Sequence, residues 1–312
     1  MKVLRRILIG CLGLVILGIV VFAVVAGVLL SRGAPEQHRS QATQEQPITV
    51  PRLPGGVTPS PTEVPPPASS LNVQLDLEEG RFDIRPGEPG SPVKVEADYD
   101  EGIYELIQET EATAGGGQTV RVQFHSRYSV LRRLLTTGSA DAQKNHVTIY
   151  LPTDVPTDLV ASISKGESDL DLTGVPLTGL DLQLRMGKHL VALDQPNPLQ
   201  METLSVSMKM GELRSRGLGN AHFSAAEFQG SMGEMGLDLR GAYTGDAQVR
   251  ARLSMGEMLL RIPADIHVKM ENRVVMGGTS GGRDQEEKIP PGAPTLTVSG
   301  SVTMGEMRVD RN

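Results

Sequence analysis

Tryptophan is absent from this 312-residue chain, aromatic residues make up only 3% of it, and there is a single cysteine. With so few large rings, ring-filled cores and aromatic sugar platforms are not expected, and narrow cores of Leu, Val and Met are. The lone thiol, Cys11, allows no intramolecular disulfide and says nothing about the redox compartment. Basic charge is also scarce. Setting aside Lys2, Arg5 and Arg6 leaves 27 basic side chains against 37 acidic ones, so no nucleic-acid partner is expected, because phosphate neutralisation needs a basic face. The six histidines form no HExxH and no close pair, which speaks against a zinc site. Neither nucleotide-binding glycine motif occurs, and no cofactor is expected. Gly278-Thr279-Ser280-Gly281-Gly282 fits G-x-S-x-G, yet a nucleophile elbow needs a downstream acid and histidine, and no histidine follows His267. That segment reads as a loop, and the chain as a non-enzyme with no catalytic residues.

Glycine (35) and proline (21) are plentiful, and they are unevenly spread. Residues 7–30 carry no charge over 24 positions. At 1.5 Å per residue they make about 36 Å of helix against about 30 Å of hydrocarbon, enough to span with some tilt. Lys2, Arg5 and Arg6 precede the run and Arg32 stands almost alone after it, which places the N-terminus in the cytoplasm and the rest outside as a single-pass cell-membrane protein. Cleavage near Val24-Val25-Ala26 is opposed by the apolar run continuing past it, and Leu8-Ile9-Gly10-Cys11 is no lipoprotein box because the apolar segment follows the cysteine. Ala23 and Gly27 match a small-xxx-small helix contact, which in a segment this rich in Gly and Ala reads as chance. The chain therefore divides into a cytoplasmic tip and transmembrane anchor (1–30), a Pro/Ser/Thr-rich disordered linker (31–69), an N-terminal β part (70–159) and a glycine-marked β-repeat stack (160–312).

From Leu71 the pattern changes to strict alternation. LNVQLDL, RFDIRP, VKVEADY, TVRVQF and HVTIYLP place apolar residues at every second position, the mark of half-buried strands. IYELIQETEA and RYSVLRRLL are each expected to make a short helix covering the end of a sheet.

A repeat then emerges, aligned on its glycine: Gly166, Gly187, Gly211, Gly233, Gly256, Gly277 and Gly305, with gaps of 21, 24, 22, 23, 21 and 28 residues. A fixed period of this size indicates a stacked array in which each unit buries its apolar face against its neighbours. The longest gap contains GGRDQEEKIPPGAP, expected as a polar loop that inflates one unit. In LSVSMKMGEL, Leu204, Val206, Met208 and Met210 share one face and Leu213 comes three positions later, so the phase slips at Gly211-Glu212, where glycine accepts positive φ. The expected class is all-β, a β-solenoid or β-helix-like stack of about 22-residue coils. An antiparallel meander shares the local pattern, and both remain open.

Stacking in register would align Glu167, Glu212, Glu234, Glu257 and Glu306, an acidic ladder with carboxylates for Ca²⁺, although a solvated turn is the simpler account. Met186, Met210, Met232, Met255, Met276 and Met304 would align too. Copper binding is set aside for them, because the alternation puts them on the inward apolar face.

VTIYLPTDVPTDLVASISKGESDLDLTGVPLTGLDLQLRMGKHLVAL, followed by repeated Ser-Met-Gly-Glu-Met, resembles the bacterial adhesin-like domains of unknown function, and also the toast-rack domains of envelope-stress proteins. The likeness covers roughly residues 70–312 and departs in using Met-Gly-Glu where that family commonly has Ser-Gly-Asp. It implies a β-solenoid working in adhesion, with an envelope polymer or protein as partner. A regulator touching a membrane sensor laterally is the alternative, and an uncharacterised enzyme comes third.

Overall fold

The computed structural model describes residues 70–113, 115–127, 145–281 and 289–311, together with the backbone of 39–44. The anchor read at 7–30 and the short helix read at RYSVLRRLL lie outside the described residues, apart from Arg127. Among the described residues no helix is long and apolar enough to cross a membrane.

Alternation from Leu71 onward gives strands throughout. In chain order the strands are β1 (Arg39–Gln44), β2 (Leu71–Pro86), β3 (Lys94–Asp100), β4 (Tyr104–Ala112), β5 (Gln118–Ser126), β6 (His146–Leu151), β7 (Thr157–Asp171), β8 (Leu177–Ala192), β9 (Thr203–Arg216), β10 (Ala225–Asp238), β11 (Ala247–Ile262), β12 (His267–Gly281) and β13 (Thr295–Arg311). They form one sheet whose repeat half is entirely parallel, β2-β7-β8-β9-β10-β11-β13-β12. Every neighbouring pair in that stretch is parallel, which rules out the antiparallel meander and leaves an all-β, solenoid-like stack.

Each long strand is bent at its glycine, and its two arms face each other. The evidence is contact across the fold. A Cβ placed on Gly230, three residues before the β10 bend, would lie 2.8 Å from the Met235 methyl, two residues after it. On Gly300 it would lie 3.1 Å from the methyl of Met307. The core is therefore the space inside the fold, filled by columns that run across the strands. Three positions before the glycine, Leu77, Ile163, Leu184, Met208, Leu253 and Val302 are buried; two positions after it, Phe82, Leu213, Met235, Met258 and Met307 are. At about 25 cal/mol per Å² of apolar surface, these stacked columns supply the main driving force for the array. The returns between strands need polar corners. Buried Asn197 closes one, its Nδ2 donating to the carbonyls of Leu177 and Leu199 at 2.7 and 3.0 Å while its Oδ1 accepts from the Leu177 amide.

At the N-terminal end the first coil is built differently. β2 pairs along its first half with β5 and along its second with β6, so two separate strands do the work of one bent strand. Antiparallel β4 and β3 flank these, and β1 pairs with β3. Thus IYELIQETEA is strand β4 and not a helix. Its first residues alternate (Tyr104 and Leu106 buried, Glu105 and Ile107 less so), and an open edge of β5 offers backbone partners that an isolated helical turn would lack. β1 falls inside the segment read as a linker. Phe124 sits at the centre of the cluster closing this end, stacked on Tyr104 at 5.2 Å and edge-on to Tyr99 and Phe82 at 5.3 and 6.0 Å.

The other end overturns simple sequential stacking. β13, the last strand, inserts between β11 and β12, and β12 becomes the outer edge. The residues explain the exchange. On the first arm the two strands are alike, Val298 and Val302 of β13 standing opposite Met270 and Val274 of β12, but on the second arm Met307 and Val309 stand opposite Thr279 and Gly281. A unit with polar and small residues there cannot sit between two others, and it serves as the terminal cap. The 28-residue gap is accordingly a step back across the stack; residues 282–288 of the polar loop read there lie outside the described residues.

Candidate functional site

The repeated bend is where the sequence concentrates its conserved-looking chemistry within the chain, and its geometry starts from glycine. Gly80, Gly166, Gly187, Gly211, Gly233, Gly256, Gly305 and Gly277 stand in one column, each the Cα partner of the next. At Gly211, φ is +132° and an added Cβ would lie 2.0 Å from the carbonyl oxygen of Gly187. Positive φ and backbone approach together leave no room for any other residue. The column begins one unit earlier than the repeat read from sequence: Gly80 also belongs to it.

Around that column the expected phase is corrected. Met186, Met210, Met232, Met255, Met304 and Met276 form their own register column immediately before the glycines, and they are between 41% and 60% exposed. They do not pack inward. Inside the bend the residues three before and two after the glycine already meet, as Gly230 and Met235 do, so no volume is left for the residue next to the glycine. The phase slips at the methionine, one residue earlier than the pattern suggests. Toward the N-terminus this column ends in charge, at the Lys165–Glu79 ion pair.

The residue after the glycine also points outward. In register it runs Arg81, Glu167, Lys188, Glu212, Glu234, Glu257, Glu306 and Gly278. Glu167 stands between two cations, Glu212 pairs with Arg214 and, at 3.9 Å, with Lys188, and Arg308 lies 3.7 Å from Glu257. These cations take up much of the field that a divalent ion would need. Among the described residues no group of three or more His, Cys, Asp or Glu is arranged to hold a metal.

Beside the bend the outer face of the second arm carries two shallow grooves, of about 370 and 500 Å³. Their walls are salt-bridged: Arg240 makes a bidentate pair with Asp238, which holds that carboxyl below its ordinary range despite opposing burial. On the wall of the second groove Arg216 clamps Asp194, and at the first groove Asp169 is held low by its hydrogen bond to Arg85.

One pair resembles a catalytic dyad. Ser168 Oγ and His189 Nδ1 are 2.8 Å apart on neighbouring strands. Both occupy the inward column two residues after the glycine, where other units carry Leu213, Met235 and Met258, and both are buried. Burial pushes the imidazole down from 6.5 to about 4, so it is neutral at physiological pH. Its Nε2 has no protein partner, and no carboxylate orients the ring. Ser168 and His189 both border the first groove, but activating a nucleophile needs an oriented base, and this ring is not oriented. The G-x-S-x-G match fares no better: Gly278 to Gly281 form the end of strand β12 rather than a loop, with Ser280 opposite Arg308.

The parallel, glycine-bent stack defines the class: an all-β repeat domain without a recognisable reaction centre among its described residues. The family follows from the sequence itself. The profile of the N-terminal domain of toast_rack (DUF2154) matches residues 40–211, from β1 to the bend of β9, and the chain belongs to that family. No curated protein matches the chain. Solved structures with similar coordinates include a "putative cell adhesion protein" from Clostridium sporogenes, with 16% identity over 80% of this chain and 95% of that one and a TM-score of 0.40. A "putative adhesin" from Bacteroides fragilis has 11% identity over 76% and 91%, with a TM-score of 0.33. A "putative lipid binding protein" from Parabacteroides distasonis has 15% identity over 78% and 93%, with a TM-score of 0.32.

Proposed function

We propose that this protein is a non-enzymatic, membrane-anchored scaffold whose β-repeat domain works outside the cytoplasm and presents its repeating outer surface to an extended envelope polymer or protein. The observation that carries this reading is the register of the bend: the same residue types recur on successive strands, about 4.8 Å apart. A surface with a repeat suits a partner with a repeat. The uncharged run at 7–30, with its basic N-terminal flank, supports the anchor and its orientation. Membership of the toast_rack family supports a second reading, a regulator that controls a membrane sensor by lateral contact.

Crosslinking and pull-down of the intact protein from its own membrane separates the two. Recovery of envelope polymer or a surface protein supports the scaffold, and recovery of a sensor kinase or anti-sigma factor supports the regulator. Recovery of nothing but the protein itself counts against both. A reporter enzyme active only outside the cytoplasm, fused after Asn312, tests the orientation; an inactive, stably expressed fusion overturns it.

A further inference from the structure

Six thioethers stand in one line on the outside of the bend, each on the strand next to its neighbour's. Burial does not account for them. The four methionines on the inner columns, Met208, Met235, Met258 and Met307, are at most 2% exposed, so the fold has separate places for methionine as core filler. On the ridge the same side chain gains little from burial, and the two N-terminal units carry Lys165 and Glu79 there without disturbing the register. The outer column therefore calls for an explanation in the chemistry of sulfur.

We infer that this methionine ridge binds a soft monovalent cation, Cu(I) in the cell, through pairs of thioethers on adjacent strands. Thioether sulfur is a neutral, soft donor that selects Cu(I) over hard divalent ions. The sheet supplies the spacing. A metal–sulfur bond is on the order of 2.3 Å, so a linear sulfur–metal–sulfur bridge spans about 4.6 Å, close to the strand repeat of about 4.8 Å. Neighbouring methionines can share an ion with no change of backbone, and the flexible side chain absorbs the remainder. Beside the ridge, Glu234 and Glu306 add negative charge that attracts a cation without competing as soft ligands, whereas Glu212 and Glu257 are offset by Arg214 and Arg308. The thioether carries no proton to lose on binding. The inference does not depend on what the scaffold presents itself to.

Ag(I), a redox-inert stand-in with the same preference for sulfur, tests it directly. The probe is silver nitrate titrated calorimetrically, in halide-free buffer, into the full chain in detergent. Cys11→Ser serves as background, because its thiol would otherwise bind the ion. Saturable uptake of about three ions per chain is expected, one for each thioether pair. Replacing the middle of the ridge (Met210→Leu, Met232→Leu, Met255→Leu) cuts uptake from about three ions to about one, because Met304 and Met276 remain adjacent, while the inner triple (Met208→Leu, Met235→Leu, Met258→Leu) leaves it unchanged. On the unsubstituted ridge, methyl-labelled methionine NMR reads the same question without depending on whether a variant folds: the six ridge methyls shift with silver and the four inner ones do not. Absence of saturable uptake, undiminished binding by the ridge triple, or shifts confined to the inner methyls would overturn the inference.

Discussion

Met208 and Met210 lie two residues apart on one strand, yet the first is 2% exposed and the second 44%. The inside and the outside of the same bend thus use one residue type for different ends. Inside, methionine fills irregular space between two sheet arms, where its flexibility lets it pack against glycine, leucine or another methionine from the next coil. Outside, it stands in line on a convex ridge with nothing packed over it among the described residues. The lesson is that a repeat can carry two independent selections within three consecutive residues, Met208 to Met210, and that the glycine that follows makes this possible by turning the side chains on either side of it away from the core.

The strongest way to break that arrangement is to fill the glycine column. Gly256→Ala would place a Cβ 1.8 Å from the carbonyl oxygen of Gly233, at a φ of +132°. Strain and steric conflict together should cost about 4 kcal/mol or more, read as a fall in thermal midpoint or as failure to fold. A loss below about 1 kcal/mol would mean the bend does not rest on glycine. Next comes the inner column: Met258→Ala leaves a cavity between the arms and should cost roughly 2–5 kcal/mol in denaturant unfolding.

A third prediction uses pH. His189 occupies an inner position that other units give to methionine or leucine, and its imidazole is depressed from 6.5 to about 4. The unfolded chain takes up the proton first as pH falls. Stability contributed by the neutral ring is therefore complete above about 6.5, declines through the interval down to about 4, and is gone below it, an amount up to about 3 kcal/mol. His189→Met should abolish this slope between pH 6.5 and 4, while leaving the acid loss at lower pH from carboxylates such as Asp169 and Asp238, whose ordinary values are already lowered. An unchanged slope would place the pH sensitivity elsewhere. The smallest effect belongs to the ridge: Met255→Ala should change stability by less than about 0.5 kcal/mol. A cost comparable to Met258→Ala would erase the distinction between the two columns.

Much of this was legible in the residues. Alternation marked the strands of the N-terminal β part and of the repeat units, with two exceptions: β4, read as a short helix although an open strand edge pairs with it, and the end of β12, read as a loop. The glycine spacing pointed to a stack, because only glycine accepts positive φ beneath a neighbouring carbonyl. The ridge was visible as a recurring methionine but assigned to the wrong side. Alternation continued through Met210 gives the inward face; the fold across the bend, where Gly230 meets Met235, takes that space away. The Ser168–His189 contact joins residues 21 positions apart, and nothing local signals it.

What the sequence by itself determined is periodicity: which residues alternate, where the phase slips, and at what interval the unit returns, since these depend only on backbone geometry and local sterics. What only the tertiary structure decided is order and sidedness. Whether β13 follows β12 or slips in front of it depends on competition between whole strands for one buried place, and β13 wins on the second arm, through Met307 and Val309 against Thr279 and Gly281. Whether the methionine beside each glycine faces core or solvent depends on how far apart the two arms stand, a distance set by the side chains that meet between them.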